Sequence, residues 1–412
     1  MKLIIKTIEA HINDEFVQTS PYAHYQKMSM HGQFLIWNNK ASVEYVGFYD
    51  QSELVGSALI MIKHFLGVFN YAYVPSGLCI DYKKVSLVEA AHQALKEHAK
   101  EKRWFLLRID PNVERVEKNL KGEVVEDGFN NEWVSDTLIK LGYTHKGYGY
   151  GYDGSWRDRF TLILDIDKPI NEIVENFAKN KKTFYKRQLK MGVTTTVNKE
   201  QGIAYLAKFE KQLTQIHGFK PKPVSYFKKV VDTYGEHAHV FVTKMSQQFN
   251  IDLIQQELDS GKYDKDASAK QSKIDTLQEL KASLNNHGDV IVLAVGLFVC
   301  VGDVAWDLYS YKNADFLKYR GTENMHVYAI KHFQQQAVKH YDFVGFSGST
   351  DPSDPYYGLY QYKSSFNPRF VEYIGQFDYR VHETLSNLFI KISAAVVKVR
   401  RKINVLLYLK KQ

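Results

Sequence analysis

The sequence predicts a mixed α/β protein (α/β, α+β) of two tandem domains sharing one fold, with an antiparallel helical hairpin inserted in the second. Three observations carry that expectation. A β-β-β-α-β order of apolar segments occurs twice along the 412 residues. The second copy is interrupted by about forty polar residues, 246–287, where the first has a tight turn. A chain of this length is also expected to divide into two or three domains of roughly 100–200 residues.

In the first copy, Val43 to Tyr49 reads as a strand and Leu54 to Ile62 as its partner across a turn at Asp50 and Gln51. Phe69 to Val74 is a third strand, stopped by Pro75 and Gly77. A helix follows from about Ser86 to Lys100, with Leu87, Val88, Ala91 and Leu95 on one face. Trp104 to Asp110 is a short apolar strand closed by Pro111. The second copy repeats this with strands at Val240 to Met245, Val290 to Val301 and Val304 to Tyr309. A helix from about Asn324 to His340 and a strand from Tyr341 to Phe346 complete it.

Within the insertion, Ile251, Ile254 and Leu258 recur at helical spacing, as do Ile274, Leu277, Leu280 and Leu284. The turn-prone run Ser260 to Asp264 separates them, so two antiparallel helices, each about 20 Å long, are expected as a coiled-coil arm. A surface insertion without function fits the same pattern. The division expected is 1–153 with 368–412 as the first domain, 154–245 with 288–367 as the second, and 246–287 as the arm.

The net charge of +8 is local. Lys179 to Lys190 holds six basic residues and no acid, and Lys391 to Gln412 holds seven and no acid. The rest has 41 basic against 46 acidic residues, a body of net −5. That argues against a protein that coats nucleic acid generally. On a helix ending before Gly192, Lys179, Lys182, Lys186 and Lys190 form one stripe beside Arg187, while Phe177, Phe184 and Leu189 can face the core. Such a stripe suits phosphates, though a solvated helix face looks the same. From Leu385 to Ile403 apolar residues at helical spacing alternate with lysines, an amphipathic helix suited either to anionic lipid or to its own domain.

Cys79 and Cys300 lie far apart in apolar surroundings, which fits a reduced compartment, with neither a disulfide framework nor a metal site expected. The first residues show no signal core, and the longest apolar run, Val290 to Val301, has twelve residues against the ~20 needed to cross a bilayer. A secreted or membrane-spanning protein is disfavoured.

Two places could carry chemistry. Gly358 to Pro368 follows a polar loop, Ser347 to Tyr357, after a strand end; there Lys363, beside Tyr362, could offer a fixed positive charge to an oxyanion. Asp110 ends an apolar strand before proline, with Arg108 two residues earlier on the same face; an Asp in that position is also a common turn former. No Ser-His-Asp or Cys-His arrangement is evident.

The run GLYQYKSSFNPRFVEYIGQFD (358–378) resembles the closing signature of the Fem family of peptidoglycan aminoacyltransferases. Other similar stretches fall in the family's order: YVPSGLCIDY (73–82), FLLRIDP (105–111), SDTLIKLGYTHKG (135–147), the basic segment before Gly192, KPVSYF (222–227), Val290 to Tyr309, and YDFVGFSG (341–348). The resemblance implies two tandem acetyltransferase-like domains with a helical arm. It also implies transfer of an amino acid from aminoacyl-tRNA to the side-chain amine at position three of a peptidoglycan stem peptide. By that resemblance Lys363 stabilises charge on the reacting carbonyl, and Asp110 orients or deprotonates the attacking amine. Lys222, Tyr226 and Tyr309 contact the precursor and its phosphates. Arg108, Phe105 and Tyr362 are expected to bind substrate as well, while Lys179, Lys182, Lys186, Arg187 and Lys190 meet tRNA or precursor phosphates.

No cofactor is implied beyond aminoacyl-tRNA as co-substrate. The acceptor is lipid II, favoured by the arm and the basic tail, or the soluble UDP-MurNAc-pentapeptide. A cytoplasmic location follows, with Lys391 to Gln412 at the inner membrane face. Three positions depart from the family pattern. Lys222 stands where arginine is common, which keeps charge but loses bidentate geometry. Phe105 replaces a tyrosine of one member that acts on the soluble precursor. A lysine expected just before Trp37 has no match, Phe34 standing nearby. Two alternatives remain: an acetyl-CoA-dependent acetyltransferase, for which Arg320-Gly321-Thr322-Glu323 is a poor pyrophosphate loop, and a non-catalytic protein that binds tRNA or a lipid surface.

Overall fold

Two seven-stranded sheets organise the chain. The structure, a computed structural model, describes residues 1–151, 156–217 and 221–409, and the side chains of these except 215–217 and 397–409. The strands of the first half are β1 (Ile4–Thr7), β2 (Ser42–Asp50), β3 (Glu53–Phe65), β4 (Phe69–Val74), β5 (Leu106–Ile109) and β6 (Thr144–His145). Then come β7 (Phe160–Asp165), β8 (Thr194–Val197), β9 (Ala238–Ser246), β10 (Val290–Val301), β11 (Val304–Lys312), β12 (His340–Phe346), β13 (Arg369–Glu372) and β14 (Phe377–Arg380).

The sheets run β1-β2-β3-β4-β5-β14-β6 and β8-β9-β10-β11-β12-β7-β13, so the repeated order expected from sequence is present. In each, an antiparallel meander (β2-β3-β4, β9-β10-β11) leads to one parallel pair, β4 with β5 and β11 with β12. A parallel neighbour cannot be reached by a hairpin, so a crossover helix precedes it: Val85–Glu101 in the first half, Thr322–Gln334 in the second. The second crossover helix is shorter than the expected Asn324 to His340. The chain turns at Ala337, whose φ is +58°, before β12 begins.

The arm consists of helices Gln247–Asp259 and Ala267–His287, joined through Ile251, Ile254, Leu277 and Leu280. The Ser246 and Asp266 side chains accept the first free amides of the two helices, from Phe249 at 3.0 Å and Ala269 at 2.9 Å. At 1.5 Å per residue the first helix is about 20 Å long and the second about 31 Å, longer than expected.

The second sheet lies within the chain of the first. Strands β6 and β7 are consecutive yet lie in different sheets, and so are β13 and β14. β7 lies between β12 and β13, and β14 lies between β5 and β6. The second sheet is thus built from continuous chain, β7 to β13, and the first is completed by β14 once the chain has left the second. The chain returns to the first sheet after Glu372, rather than at 368 as the sequence-based division has it.

Charge pairs hold the strands at these connections. Arg108 on β5 donates two hydrogen bonds of 2.7 Å to Asp378 on β14, both groups buried. Glu372 on β13 pairs with Arg115 at 2.9 Å, with Lys118 at 2.6 Å and with Arg159. Burial pushes the Glu372 carboxyl up, but these three cations outweigh it and hold it below its ordinary range. The helix Glu383–Leu409 starts against the first sheet: Phe389 packs on Tyr71 and Phe105, and the Ser386 hydroxyl donates to the Phe105 carbonyl at 2.8 Å.

Breaking a buried pair strands a charge, so Asp378→Ala, which leaves the Arg108 guanidinium unpaired, should destabilise by about 3–5 kcal/mol. A urea midpoint, compared with the wild-type protein, measures this.

Candidate active site

Strands β11 and β12 pair in parallel only from Val304 and His340 to Trp306 and Asp342, and then part. Just past that point the register of β12 slips between Asp342 and Gly345, and Val344 has φ +54°. A β-branched residue is strained there. Its amide is held by Asp342, whose Oδ1 accepts it at 2.7 Å. The carbonyls of Val344 and Gly345 consequently meet Lys363, whose Nζ donates to them at 3.1 and 2.9 Å. The parted strands open a cavity of about 770 Å³, lined by Asp307 to Lys312, Phe343, Val344, Tyr362 and Lys363 among others.

Lys363 comes from the short helix Tyr357–Ser364 and is 7% exposed. Burial pushes its ammonium pKa down, while Asp307, Asp342 and Asp158 pull it back up. Among the described residues no carboxylate is ion-paired with it, and two of its three N–H donors are spent on carbonyls. One donor remains for an oxygen in the cavity.

Leu308, Tyr309 and Val344 also line a second cavity of about 260 Å³, with Tyr226, Phe34 and Tyr25. The structure brings Lys222, Tyr226 and Tyr309 together here. The two tyrosine hydroxyls are 3.0 Å apart, and the Lys222 ammonium stands 5.1 Å from the Tyr309 ring and 5.7 Å from that of Tyr226. Glu210, buried, holds Lys222 at 2.7 Å. Phe34 and Trp37, on helix Ser29–Asn39, bring the first domain against Tyr226 at ring distances of 6.2 and 5.8 Å.

The first-domain candidates are not brought to Lys363. Asp110 ends the parallel pair β4–β5, where the corresponding opening is closed by its own carboxylate. It accepts from the Tyr73 hydroxyl and, at 2.7 Å, from the Ser76 amide. Burial pushes it up to about 6, against Arg157, those two hydrogen bonds and Arg108. It does not line the Lys363 cavity. Arg108 is committed to Asp378, and Phe105 to the core under helix Glu383–Leu409. A wider cleft of about 880 Å³, lined by Tyr22, Trp133, Trp306 and Tyr373, contains none of the expected residues.

The basic segment forms a helix, Lys179–Lys190, stopped at Gly192 with φ +63°. Lys179, Lys186, Arg187 and Lys190 are exposed, and Lys182 and Lys186 share Glu175 at 3.4 and 3.2 Å. Its inner face differs from expectation: Leu189 is 52% exposed, while Lys181 and Gln188 are buried. Glu323 explains this. It pairs with Lys181 at 3.1 Å and accepts from Gln188 at 3.2 Å. The Lys181 ammonium also sits 3.6 Å from the Tyr362 ring, which ties the basic helix to the cavity wall.

Sequence reasoning missed Asp307, a lone acid inside a strand. Burial pushes its carboxyl up to about 7, against the Ser310 hydrogen bond and Lys363. Only the alternation of charge within an apolar run could have flagged it. It also missed Arg157, which lies between the domains in the field of Tyr373, Asp110 and Asp342. Among the described residues no cluster of His, Cys, Asp or Glu is placed to hold a metal, and no helix is long and apolar enough to cross a membrane.

A fixed ammonium with a free donor over a cavity at parted strands is an arrangement that can hold the oxyanion of an acyl transfer. The chain belongs to the FemAB family, whose model matches residues 8–391. It is 25% identical over 96% of its length to the lipid II:glycine glycyltransferase of Staphylococcus epidermidis, covering 95% of that protein. It is 24% identical to that of Staphylococcus aureus with the same coverage. The crystal structure of FemX superposes with a TM-score of 0.78 at 23% identity, over 93% of this chain and 99% of that one. L-PGS from Bacillus licheniformis shares the fold more distantly, with a TM-score of 0.51 at 12% identity over 94% and 97% of the two chains.

The two faces of the basic helix should respond differently to loss of an acid. Glu323→Gln leaves a buried ammonium with only a neutral partner and should cost about 3 kcal/mol. Glu175→Gln, on the exposed face, should leave the thermal midpoint unchanged. Scanning calorimetry of both variants separates them.

Proposed function

We propose that this protein moves an amino acid from aminoacyl-tRNA to the side-chain amine at position three of the peptidoglycan stem peptide, with lipid II as acceptor. The observation that carries the proposal is the Lys363 ammonium, held by two carbonyls with one donor left over a cavity of about 770 Å³. An aminoacyl ester is already activated, so no cofactor is needed. The protein must position a neutral amine, accept its proton and stabilise the tetrahedral oxyanion. Lys363 serves the last of these. The adjoining Lys222, Tyr226 and Tyr309 cluster suits the precursor's phosphates, with a cation against two aromatic faces.

The exposed Lys179, Lys186, Arg187 and Lys190, with the half-buried Lys182 beside them, suit the tRNA backbone. Membrane contact is supported by Leu388, Ile392 and Val396, exposed along helix Glu383–Leu409 beside Lys391. The β3–β4 hairpin tip adjoins it through Phe65 and Phe389, 5.2 Å apart, and exposes Leu66 and Val68. These features suit the inner face of a membrane. The side chains of Lys398, Arg400, Arg401, Lys402, Lys410 and Lys411 lie outside the described residues.

An acetyl-CoA reading is disfavoured at the start of helix Thr322–Gln334. There the Gln188 side chain takes the Asn324 amide at 2.9 Å and the buried Glu323 carboxylate sits where a pyrophosphate would.

Incubation with aminoacyl-tRNA should give transfer to lipid II; transfer to the soluble nucleotide precursor alone would overturn the choice of acceptor. Lys363→Met should lower turnover by about 10²–10³ without weakening precursor binding, measured by single-turnover kinetics. Affinity for tRNA should fall with salt with a log-log slope of about −0.7 to −0.9 per phosphate neutralised. Replacing Lys179, Arg187 and Lys190 by Gln should flatten that slope.

A further inference from the structure

We propose that the Asp307 carboxylate is the proton acceptor of the transfer step, acting in the same cavity where Lys363 faces the reacting carbonyl. The inference rests on the function proposed above and deepens it.

Position comes first. Trp306 is the last residue of β11 paired with β12, so Asp307 is the first past the parting of the strands. It lines the cavity with Lys363, yet the two are not ion-paired. Asp307 is 7% exposed, and one oxygen accepts from the Ser310 hydroxyl. Its other oxygen has no hydrogen-bond partner among the described residues. Asp110 has both oxygens taken, by Tyr73 and Ser76. Asp342 accepts from Thr161 and Val344 on one oxygen, but it lines the neighbouring clefts and not the cavity of Lys363. An uncommitted buried carboxylate costs the fold stability, and a cost of this kind persists where function requires it.

The groups facing Asp307 are Lys363 and Tyr362 from helix Tyr357–Ser364, Asp342 and Tyr341 from β12, and Tyr311 from its own strand. Burial outweighs the pull of Ser310 and Lys363 and brings the carboxyl to about 7, where a base works near neutral pH. In the step, the amine nitrogen bonds to the ester carbon while its proton passes to Asp307. The carbon–oxygen bond to the ribose then breaks, and the same proton leaves Asp307 for the departing ribose oxygen. The products are an amide and tRNA with a free hydroxyl, and the enzyme is unchanged.

The test is the pH profile of single-turnover transfer from aminoacyl-tRNA to lipid II. A base must be unprotonated, so the wild-type rate should rise through an ascending limb near pH 7. Asp307→Asn should lower the rate by about 10²–10⁴ and abolish that limb, while its unfolding midpoint at pH 8 equals or exceeds that of the wild type. Ser310→Ala removes a hydrogen bond that favours the charged form, and should move the limb to higher pH. An Asp307→Asn variant that keeps the wild-type rate and limb would overturn the inference, as would loss of the limb in Asp110→Asn instead. If the wild-type protein transfers nothing to either precursor, the function proposed above fails and this inference falls with it.

Discussion

The insertion of the second sheet within the first is the constraint on which the remaining structure depends. β7 to β13 build the second sheet from continuous chain, while the first is completed only when β14 enters between β5 and β6 after that excursion. Two connections, β6 to β7 and β13 to β14, therefore join the sheets, and the isolated bridges Glu114–Tyr373 and Lys118–Phe370 tie first-half chain to the β13 segment. Arg108–Asp378 and the Glu372 cluster lie beside these connections, where burial makes each pair costly to break. Phe34 and Trp37 of one domain pack against Tyr226 of the other.

The two halves share a topology but have diverged at the parted strands. In the first, Asp110 plugs the gap after β4 and β5 with hydrogen bonds from Tyr73 and Ser76. In the second, the slip in β12 and the strained Val344 turn carbonyls onto Lys363 and leave the gap open. The open cavity thus belongs to the second half, while the first packs beside it through Phe34 and Trp37. In the role proposed for it, the ammonium already stands in place before any ligand arrives, so no reorganisation is needed as charge develops.

Much of this was legible in the residues. Alternating and continuous apolar runs revealed the strands of both repeats, and the run Val290–Val301, buried on both faces, was unmistakable. The stop at Gly192 and the arm's heptad-like leucines were equally plain. The exact place where the chain leaves the second sheet was not, since a four-residue strand such as β13 carries nothing that says which sheet it will join. The inner face of Lys179–Lys190 was misread because a buried Lys181 makes sense only with Glu323, which is far away in sequence. Nor does the sequence setting of Asp110 reveal that Tyr73 and Ser76 take its oxygens, or that Asp307 has one to spare.

The claim that the second-domain cavity holds the reacting ester is tested most directly by a crystal structure with a non-hydrolysable aminoacyl-adenosine, its ester replaced by an amide. The account predicts the aminoacyl carbonyl oxygen within hydrogen-bond distance of Lys363 Nζ, with Asp307 alongside. The analogue bound instead in the cleft lined by Tyr22, Trp133 and Trp306, away from Lys363, would contradict it.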